Sequence, residues 1–242
     1  EYQKWLGYKP YWYKKGLNLL VYLTLLSVSF FSLHSLLNYN LAVELAMYLA
    51  VVGPALFILL LEYVKPYNPH WRPSSRSFKQ DLFYLLGIQV VFIVVLKYYL
   101  ISQLVALGFE DGIVRSWWPN HWPMALQLVV MLLAGEFLQY WWHRLSHSRA
   151  GLWALHSVHH QPSSVYFLNT ARFHPLDKAV EFVLDIFIFI MLGASLELIA
   201  FYYVFYAVNG LLKHANLNLN FGQLNSSLAP VENHRLHHDR TA

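Results

Sequence analysis

The sequence of 242 residues contains no cysteine and few charged residues. Without Cys, disulfides and thiolate metal ligands are excluded, so any metal must be bound by nitrogen and oxygen donors. Only 12% of the residues are charged, against about 25% in an ordinary soluble domain. A chain with 57% hydrophobic and 17% aromatic residues cannot cover itself with polar surface. The composition therefore indicates a membrane protein.

The net charge and the absence of several sequence motifs limit the possible functions further. The net charge of +4 is modest, and its Lys and Arg residues cluster at the ends of apolar runs, which favours anionic lipid headgroups over nucleic acid. We expect no cleavable signal peptide, because the first apolar run starts only at Leu17 and is too long for one. No repeat or linker divides the chain, so a single domain over residues 1–242 is expected. A flavin, dinucleotide or haem motif is also missing.

Four apolar runs each approach the roughly 20 residues that cross a bilayer. We predict an all-α integral membrane protein whose transmembrane stem has four helices, over residues 17–37, 41–64, 80–107 and 124–142. The link at 38–40 is short enough for a tight hairpin. Tyr140, Trp141 and Trp142 are typical of an aromatic belt at the membrane boundary.

The distribution of Lys and Arg predicts the orientation of these helices. The loop at 108–123 offers Glu110 and Asp111 against Arg115 alone. By the positive-inside rule, the N-terminus, the 65–79 loop and the end of the fourth helix face the cytoplasm. The basic residues on that side are Lys4, Lys9, Lys14, Lys15, Lys65, Arg72, Arg76 and Lys79.

A fifth apolar stretch covers residues 179–209, with Gly193 near its middle. If His174 and His214 share one metal centre, both ends of this stretch must emerge on the same face. The residues on either side of Gly193 are too few for two ordinary spans. We therefore expect a short hairpin that dips into the membrane, or two strongly shortened helices.

Histidine is the chemically informative residue type, because 10 of the 13 histidines lie between residues 143 and 238. His-x-x-His-His occurs twice, and His-x-x-x-His precedes both copies. Residues i, i+3 and i+4 share one helical face. His143 and His147 can then reach one metal, while 156/159/160 and 234/237/238 each form a lobe on one helical face. Eight such histidines exceed one zinc site, so we predict two metals, with neighbours such as His159 and His160 turned to different ions.

Several polar residues near the histidines are further candidates. Glu136 is interpreted as an acceptor for a ligand N–H or as a partner of Arg144, and less readily as a direct ligand. Asn169, Arg172 and Asp177 surround His174; they could orient ligands, bind a lipid headgroup or make purely structural hydrogen bonds.

These motifs together resemble the fatty acid hydroxylase superfamily, in its sterol desaturase-like branch. Residues Glu136–His147 are similar to the first histidine box, Leu155–His160 to the second and Asn233–His238 to the last. Between them, Arg172–Asp177 resembles the branch's Arg-x-His-Pro element, and Lys213–Leu217 its isolated late histidine. The similarity covers roughly residues 136–238, in the right order.

The resemblance implies an integral membrane di-iron oxygenase with a cytoplasmic histidine-rich helical cap, here residues 143–178 and 210–242. Such enzymes activate O2 at two iron ions, and purified protein can carry zinc instead. By the same resemblance, His174 and His214 are the ninth and tenth ligands. The first eight are His143, His147, His156, His159, His160, His234, His237 and His238.

The leading functional hypothesis is hydroxylation of a C–H bond in a lipid taken from the bilayer. Cleaving that bond requires redox chemistry, which zinc cannot supply and nitrogen-ligated iron can. A separate electron-donor protein or reductase is expected, since the sequence has no redox cofactor motif of its own. A desaturase or an ether-lipid monooxygenase of the same family remains open, as does a zinc-dependent membrane hydrolase.

Overall fold

A computed structural model describes residues 15–109, 117–219 and 231–238 of the chain. The described residues are helical, with no strand among them, so the prediction of an all-α integral membrane protein is confirmed. Two short 3-10 segments lie at Pro69–Trp71 and Phe167–Ala171. The helices are α1 (Lys15–Asn38), α2 (Val43–Val64), α3 (Ser75–Ala106), α4 (Met124–Ser148), α5 (Ala150–His156), α6 (175–191), α7 (Leu196–His214) and α8 (Val231–His237).

Five of these helices, α1, α2, α3, α4 and α7, are long and apolar enough to cross a membrane. In α3, none of the most apolar stretch is buried inside the protein, and its Val91 and Val95 are 59% and 62% exposed. Such a surface is stable only against lipid. The four predicted spans are therefore present, and the chain is a multi-pass membrane protein.

The ends of the spans differ from the predictions because polar residues extend two helices beyond the apolar runs. Helix α3 begins at Ser75, since the Ser74 hydroxyl accepts a hydrogen bond from the Ser77 N–H at 3.1 Å and caps the first turn. Helix α4 continues from residue 142 to Ser148 and so carries His143 and His147 itself. Of the residues used for orientation, Lys4, Lys9, Lys14, Glu110, Asp111 and Arg115 lie outside the described residues.

Helix α7 packs in the centre, against α1 and α2. The link between α1 and α2 turns at Asn40, whose φ of 57° lies in the left-handed region that Asn tolerates. Ala46 and Ala50 of α2 are buried and small, and this lets the helices approach closely. On α7, Val204 and Val208 are wholly buried in the same core.

The predicted hairpin at 179–209 is longer than expected and consists of two helices, α6 and α7. The chain reverses at Gly193, whose φ of 86° favours glycine, and Ser195 caps α7. Helix α7 has 19 residues, so "strongly shortened" does not describe it. Polar residues at both ends of the apolar stretch continue the helices to residues 175 and 214. Both outer ends return to the region where α4 ends.

A buried carboxylate connects two loops close to the end of α2 by hydrogen bonds. Glu62, near the end of α2, is 7% exposed and accepts hydrogen bonds from the N–H groups of Phe167 (2.8 Å) and Asn216 (2.6 Å). Asn216 and Asn68 in turn exchange two hydrogen bonds of 2.9 Å. These contacts fix the 3-10 segment and the turn after α7 against the end of the membrane helices.

Candidate metal centre

One set of four imidazoles, here called group one, comes from three separate parts of the chain. Its members are His143 and His147 on the last turns of α4, His160 after α5, and His237 on α8. One nitrogen from each ring lies within 4.8 Å of the others. The rings of His143 and His147 are 4.7 Å apart, as the i, i+4 spacing predicts. Nε2 of His143 lies 2.8 Å from Nε2 of His237.

A second set, group two, contains His159, His214, His234 and His238, again with nitrogens within 4.8 Å of one another. His214 is the last residue of α7, and His234 lies on α8 with His238 one turn later. Nε2 of His234 lies 2.8 Å from Nε2 of His214 and 3.1 Å from Nε2 of His238. The prediction that His214 joins the centre is consistent with this geometry.

The two groups adjoin, and each neighbouring histidine pair is divided between them. His159 belongs to group two and His160 to group one; His238 belongs to group two and His237 to group one. The rings of His160 and His238 stack at 4.2 Å across the boundary. This division of the rings is consistent with the two metal ions that the sequence predicts.

His156 lies beside group one, but not in the way expected. Residues 156, 159 and 160 do not share a helical face, because α5 ends at His156 and a turn follows. Pro162 disfavours helical backbone at the residue before it, which limits further extension. The His156 ring is 4.7 Å from that of His143 and 5.1 Å from that of His147.

The hydrogen bonds of His156 test whether a metal fits. Its Nδ1 lies 2.9 Å from a carboxylate oxygen of Asp177. Its Nε2 is buried and has no hydrogen-bond partner among the described residues. A buried ring nitrogen of this kind costs free energy unless something binds it. A metal bound by group one would satisfy it, and His156 would then be a further ligand.

Three ligand rings are oriented through their second nitrogen. Asp177 contacts His156, the backbone carbonyl of Arg172 accepts from Nδ1 of His159 at 3.2 Å, and Oδ1 of Asn169 lies 3.0 Å from Nδ1 of His214. Such partners fix the tautomer and leave Nε2 as the donor to a metal. Asp177, Arg172 and Asn169, three candidates from the sequence, are thus brought to the centre.

Burial favours the neutral form of several rings in the cluster. Burial, and then the neighbouring histidines, lower the pKa of His238 to about 3. The pKa values of His159, His160 and His234 are lowered for the same reasons, burial first. Neutral imidazole is the form that binds metal. Eight nitrogen donors in two adjoining sets, with His156 beside them and no thiolate, suit iron, zinc or copper.

The sequence of this chain is similar to those of known proteins. Residues 128–242 match the fatty acid hydroxylase family. Over 200 residues, the chain is 30% identical to ornithine lipid hydroxylase OlsE of Rhizobium tropici. The matched residues, 128–242, therefore belong to the fatty acid hydroxylase superfamily. The alignment covers 80% of this chain and 58% of OlsE, so the chain spans less than two thirds of that relative. No solved structure matches it.

Three candidates from the fatty acid hydroxylase motifs lie apart from the histidine groups. His174 caps α6, where its Nδ1 accepts a hydrogen bond from the Leu176 N–H at 3.2 Å. Among the described residues it belongs to neither group. The expected pairing of Glu136 with Arg144 is not found in the described structure. Glu136 lies 3.9 Å from Lys213 instead, and Arg144 donates to the Tyr140 hydroxyl at 2.9 Å. Arg144 and Tyr140 are both exposed.

The sequence did not predict part of the support of this histidine centre. Trp142, interpreted as a membrane anchor, donates its indole N–H to Asp177 at 2.9 Å and so helps to hold His156. Asp81 is wholly buried and binds the Arg172 guanidinium and the Tyr166 hydroxyl. Trp141 is 46% exposed, consistent with anchoring. The only available signal for Asp81 was a lone carboxylate at the start of an apolar run.

Proposed function

We propose that this protein is a membrane-bound, di-iron, O2-dependent oxygenase that hydroxylates a C–H bond of a lipid. The observation that carries the proposal is the pair of adjoining four-imidazole groups, which divide His159 from His160 and His237 from His238. A zinc hydrolase needs three protein ligands on one ion, so two such groups favour the oxygenase. The proposal treats residues 1–242 as one functional unit.

Iron bound by these groups would supply the activation of O2 and the oxidation of the C–H bond. The two sites are held in a partly water-excluded surrounding. The ring of Trp153 packs 5.1 Å from that of His147 and 5.5 Å from that of His160. Phe173 stacks on His159 at 4.3 Å. Such packing restricts ring rotation. Group two is the better shielded from water, because His159, His214 and His238 are buried, whereas His147 and His237 of group one are exposed.

The substrate class follows from the position of the centre. His143 and His214 are carried by the ends of α4 and α7, two helices that can cross the membrane. A lipid could therefore reach the metals from the bilayer without leaving it. OlsE, by its name, hydroxylates ornithine lipid. We propose that the substrate here is likewise a lipid with a polar headgroup.

The orientation and the electron source complete the proposal. The basic loop residues Lys65, Arg72, Arg76 and Lys79 support a cytoplasmic position for the metal centre under the positive-inside rule. The sequence has no flavin, dinucleotide or haem motif, so electrons would come from a separate donor protein or reductase.

The test is turnover of a membrane lipid extract by iron-loaded protein with a reductase system. We expect a product heavier by one oxygen atom, which forms only when both O2 and reductant are present. His159→Ala is the inactive control. A product lighter by two hydrogen atoms would assign a desaturase. Turnover that persists without O2 would assign a hydrolase and reject the oxygenase.

A further inference from the structure

A cavity of about 510 Å³ lies beside the metal centre and is not part of it. One wall is the beginning of α3, with Arg76, Lys79 and Tyr84. The other wall is formed by Gln161 and Arg172. The volume is within the range of sites that bind a small molecule or a lipid headgroup.

The cavity is positively charged. Arg172 also lines it, but its guanidinium is paired with the buried Asp81. Arg76 and Lys79 are exposed, and neither forms an ion pair within the part of the chain that the structure describes. Among the described residues, no Asp or Glu lines the cavity. An anion that enters would meet two uncompensated cations.

The cavity is also at the level where the protein surface changes from polar to apolar. Phe83, which lines it, is 66% exposed, and the apolar surface of α3 continues directly beyond it. From Tyr84 to Phe92, α3 is π-helical, a distortion that often marks functional sites. The ring of Tyr84 lies 5.6 Å from the Arg172 guanidinium carbon. A basic concave site with an apolar exit suits the headgroup of a lipid whose chains remain in the bilayer.

The wall opposite α3 is joined to both histidine groups. Gln161 directly follows His160 of group one. The backbone carbonyl of Arg172 accepts the hydrogen bond from Nδ1 of His159 of group two. A headgroup in this cavity would therefore be positioned by the same short segments that position the metal ligands.

We propose that this cavity binds the anionic group, phosphate or carboxylate, of the substrate lipid's headgroup, with Arg76 and Lys79 as the binding cations. Only the statement that the bound lipid is the substrate rests on the proposed function. An acidic protein could also bind basic residues, but the exposed Phe83 and the apolar surface of α3 beyond it favour a lipid at this site. The cavity thus selects lipids by charge before oxidation.

The test is a binding measurement on the full chain in a non-ionic detergent, and it needs no turnover. Isothermal titration calorimetry would compare dihexanoyl phosphatidylglycerol, dihexanoyl phosphatidylcholine and inorganic phosphate. The variant is Arg76→Gln with Lys79→Gln, and the control is Arg149→Gln, which removes an exposed cation outside the cavity. We expect phosphatidylglycerol to bind most tightly, and its affinity to fall about tenfold or more in the double variant, with less than about a twofold change in the control.

Equal binding of the two lipids, or equal loss in variant and control, would overturn the proposal. Phosphate that binds as tightly as phosphatidylglycerol would reassign the cavity to a soluble anion. Phosphatidylglycerol binding that is unchanged in the double variant would also overturn it and would favour protein docking at these cations instead. Because binding is measured without turnover, failure of the oxygenase assay leaves this result interpretable.

Discussion

At the residue scale, the centre depends on the second nitrogen of each ligand ring. A carboxylate, a backbone carbonyl and an amide oxygen hold His156, His159 and His214. Because each ring has its own partner, a substitution of one partner should disturb one ring only. We therefore expect residues that contact no metal to influence the metal affinity of the centre.

Removal of the Asp177 carboxylate tests this dependence. Asp177→Ala deletes the partner of both His156 Nδ1 and the Trp142 indole, so the ring of His156 is no longer oriented. We expect metal affinity at group one to fall by about 10-fold to 100-fold. Competition against a chelator of known affinity measures it. Asp177→Asn retains an acceptor oxygen and should lose less metal affinity than Asp177→Ala. Equal metal affinities in both variants and the parent would contradict the role of Asp177 in orienting His156.

Single histidine substitutions test the division of neighbouring pairs. His159→Ala and His160→Ala each remove a ligand from a different group, so each should retain one intact site. In titrations with Co²⁺, whose visible absorption reports nitrogen ligation, we expect two binding steps in the parent and one strong step in either variant. His174→Ala is the control and should keep both steps. Loss of both sites in either single variant would indicate one shared site.

At the element scale, α8 is the helix that depends most on contacts with the rest of the protein. Its seven residues are too few for a stable isolated helix, yet they carry His234 and His237 and position His238. Val231 is 1% exposed in the core, and the Arg235 guanidinium donates to the Leu217 carbonyl at 3.0 Å and lies 3.7 Å from the centre of the Tyr67 ring. Tertiary contacts hold this helix in place.

Arg235→Ala should therefore weaken both metal groups, although Arg235 binds no metal. Both the hydrogen bond and the cation–π contact are lost, and α8 loses its fixed position. We expect about a tenfold loss of metal affinity, measured in the same chelator competition. Leu236→Ala on the same helix is the control, because Leu236 is 47% exposed. A larger effect in the control would refute this account of α8.

The Glu62 contacts predict a stability effect away from the metals. Glu62→Ala leaves the N–H groups of Phe167 and Asn216 without their acceptor, at a cost of about 1–3 kcal/mol each. We expect a clearly lower Tm in detergent, read from the loss of helical circular dichroism. Glu62→Gln keeps one acceptor oxygen, so its Tm should lie between that of the parent and that of Glu62→Ala. A Tm equal to that of the parent in Glu62→Ala would show that water replaces the carboxylate.

The sequence predicted the helices well and their ends poorly, for a physical reason. Long apolar runs require a bilayer, and in a bilayer only a helix satisfies the backbone. The end of α4 lies in polar sequence, where hydropathy carries no information about residues 143–148. The spacing of His156 and His159 allowed a helical face, but the turn after His156 replaced it. Trp142 was missed because an indole at a membrane boundary has the same sequence signature whether it anchors the helix or donates to Asp177.

At the scale of the whole molecule, the histidine cluster couples folding to pH. Burial lowers the pKa of His159 and His234, and that of His238 to about 3, whereas unfolded His titrates near about 6.5. Below that pH the unfolded chain binds more protons than the folded one. The stability contributed by neutral rings is therefore complete above about pH 6.5 and lost progressively as the pH falls toward 3.

We accordingly expect the Tm of metal-free protein to fall between about pH 7.5 and about pH 5. Differential scanning calorimetry in detergent measures it. Metal should shift this loss to lower pH, because bound metal competes with protons for the same nitrogens. A Tm that is constant over this range would show that the rings are not buried as neutral groups.

The most direct test of the central claim is the amount and arrangement of metal in purified protein. Cells grown with added iron would provide detergent-purified chain for elemental analysis and X-ray absorption spectroscopy. Two ions per chain, each with imidazole ligands and a second metal as a near neighbour, are what groups one and two predict. One ion or fewer per chain with all histidines intact, or a lone tetrahedral ion, would contradict a two-metal centre.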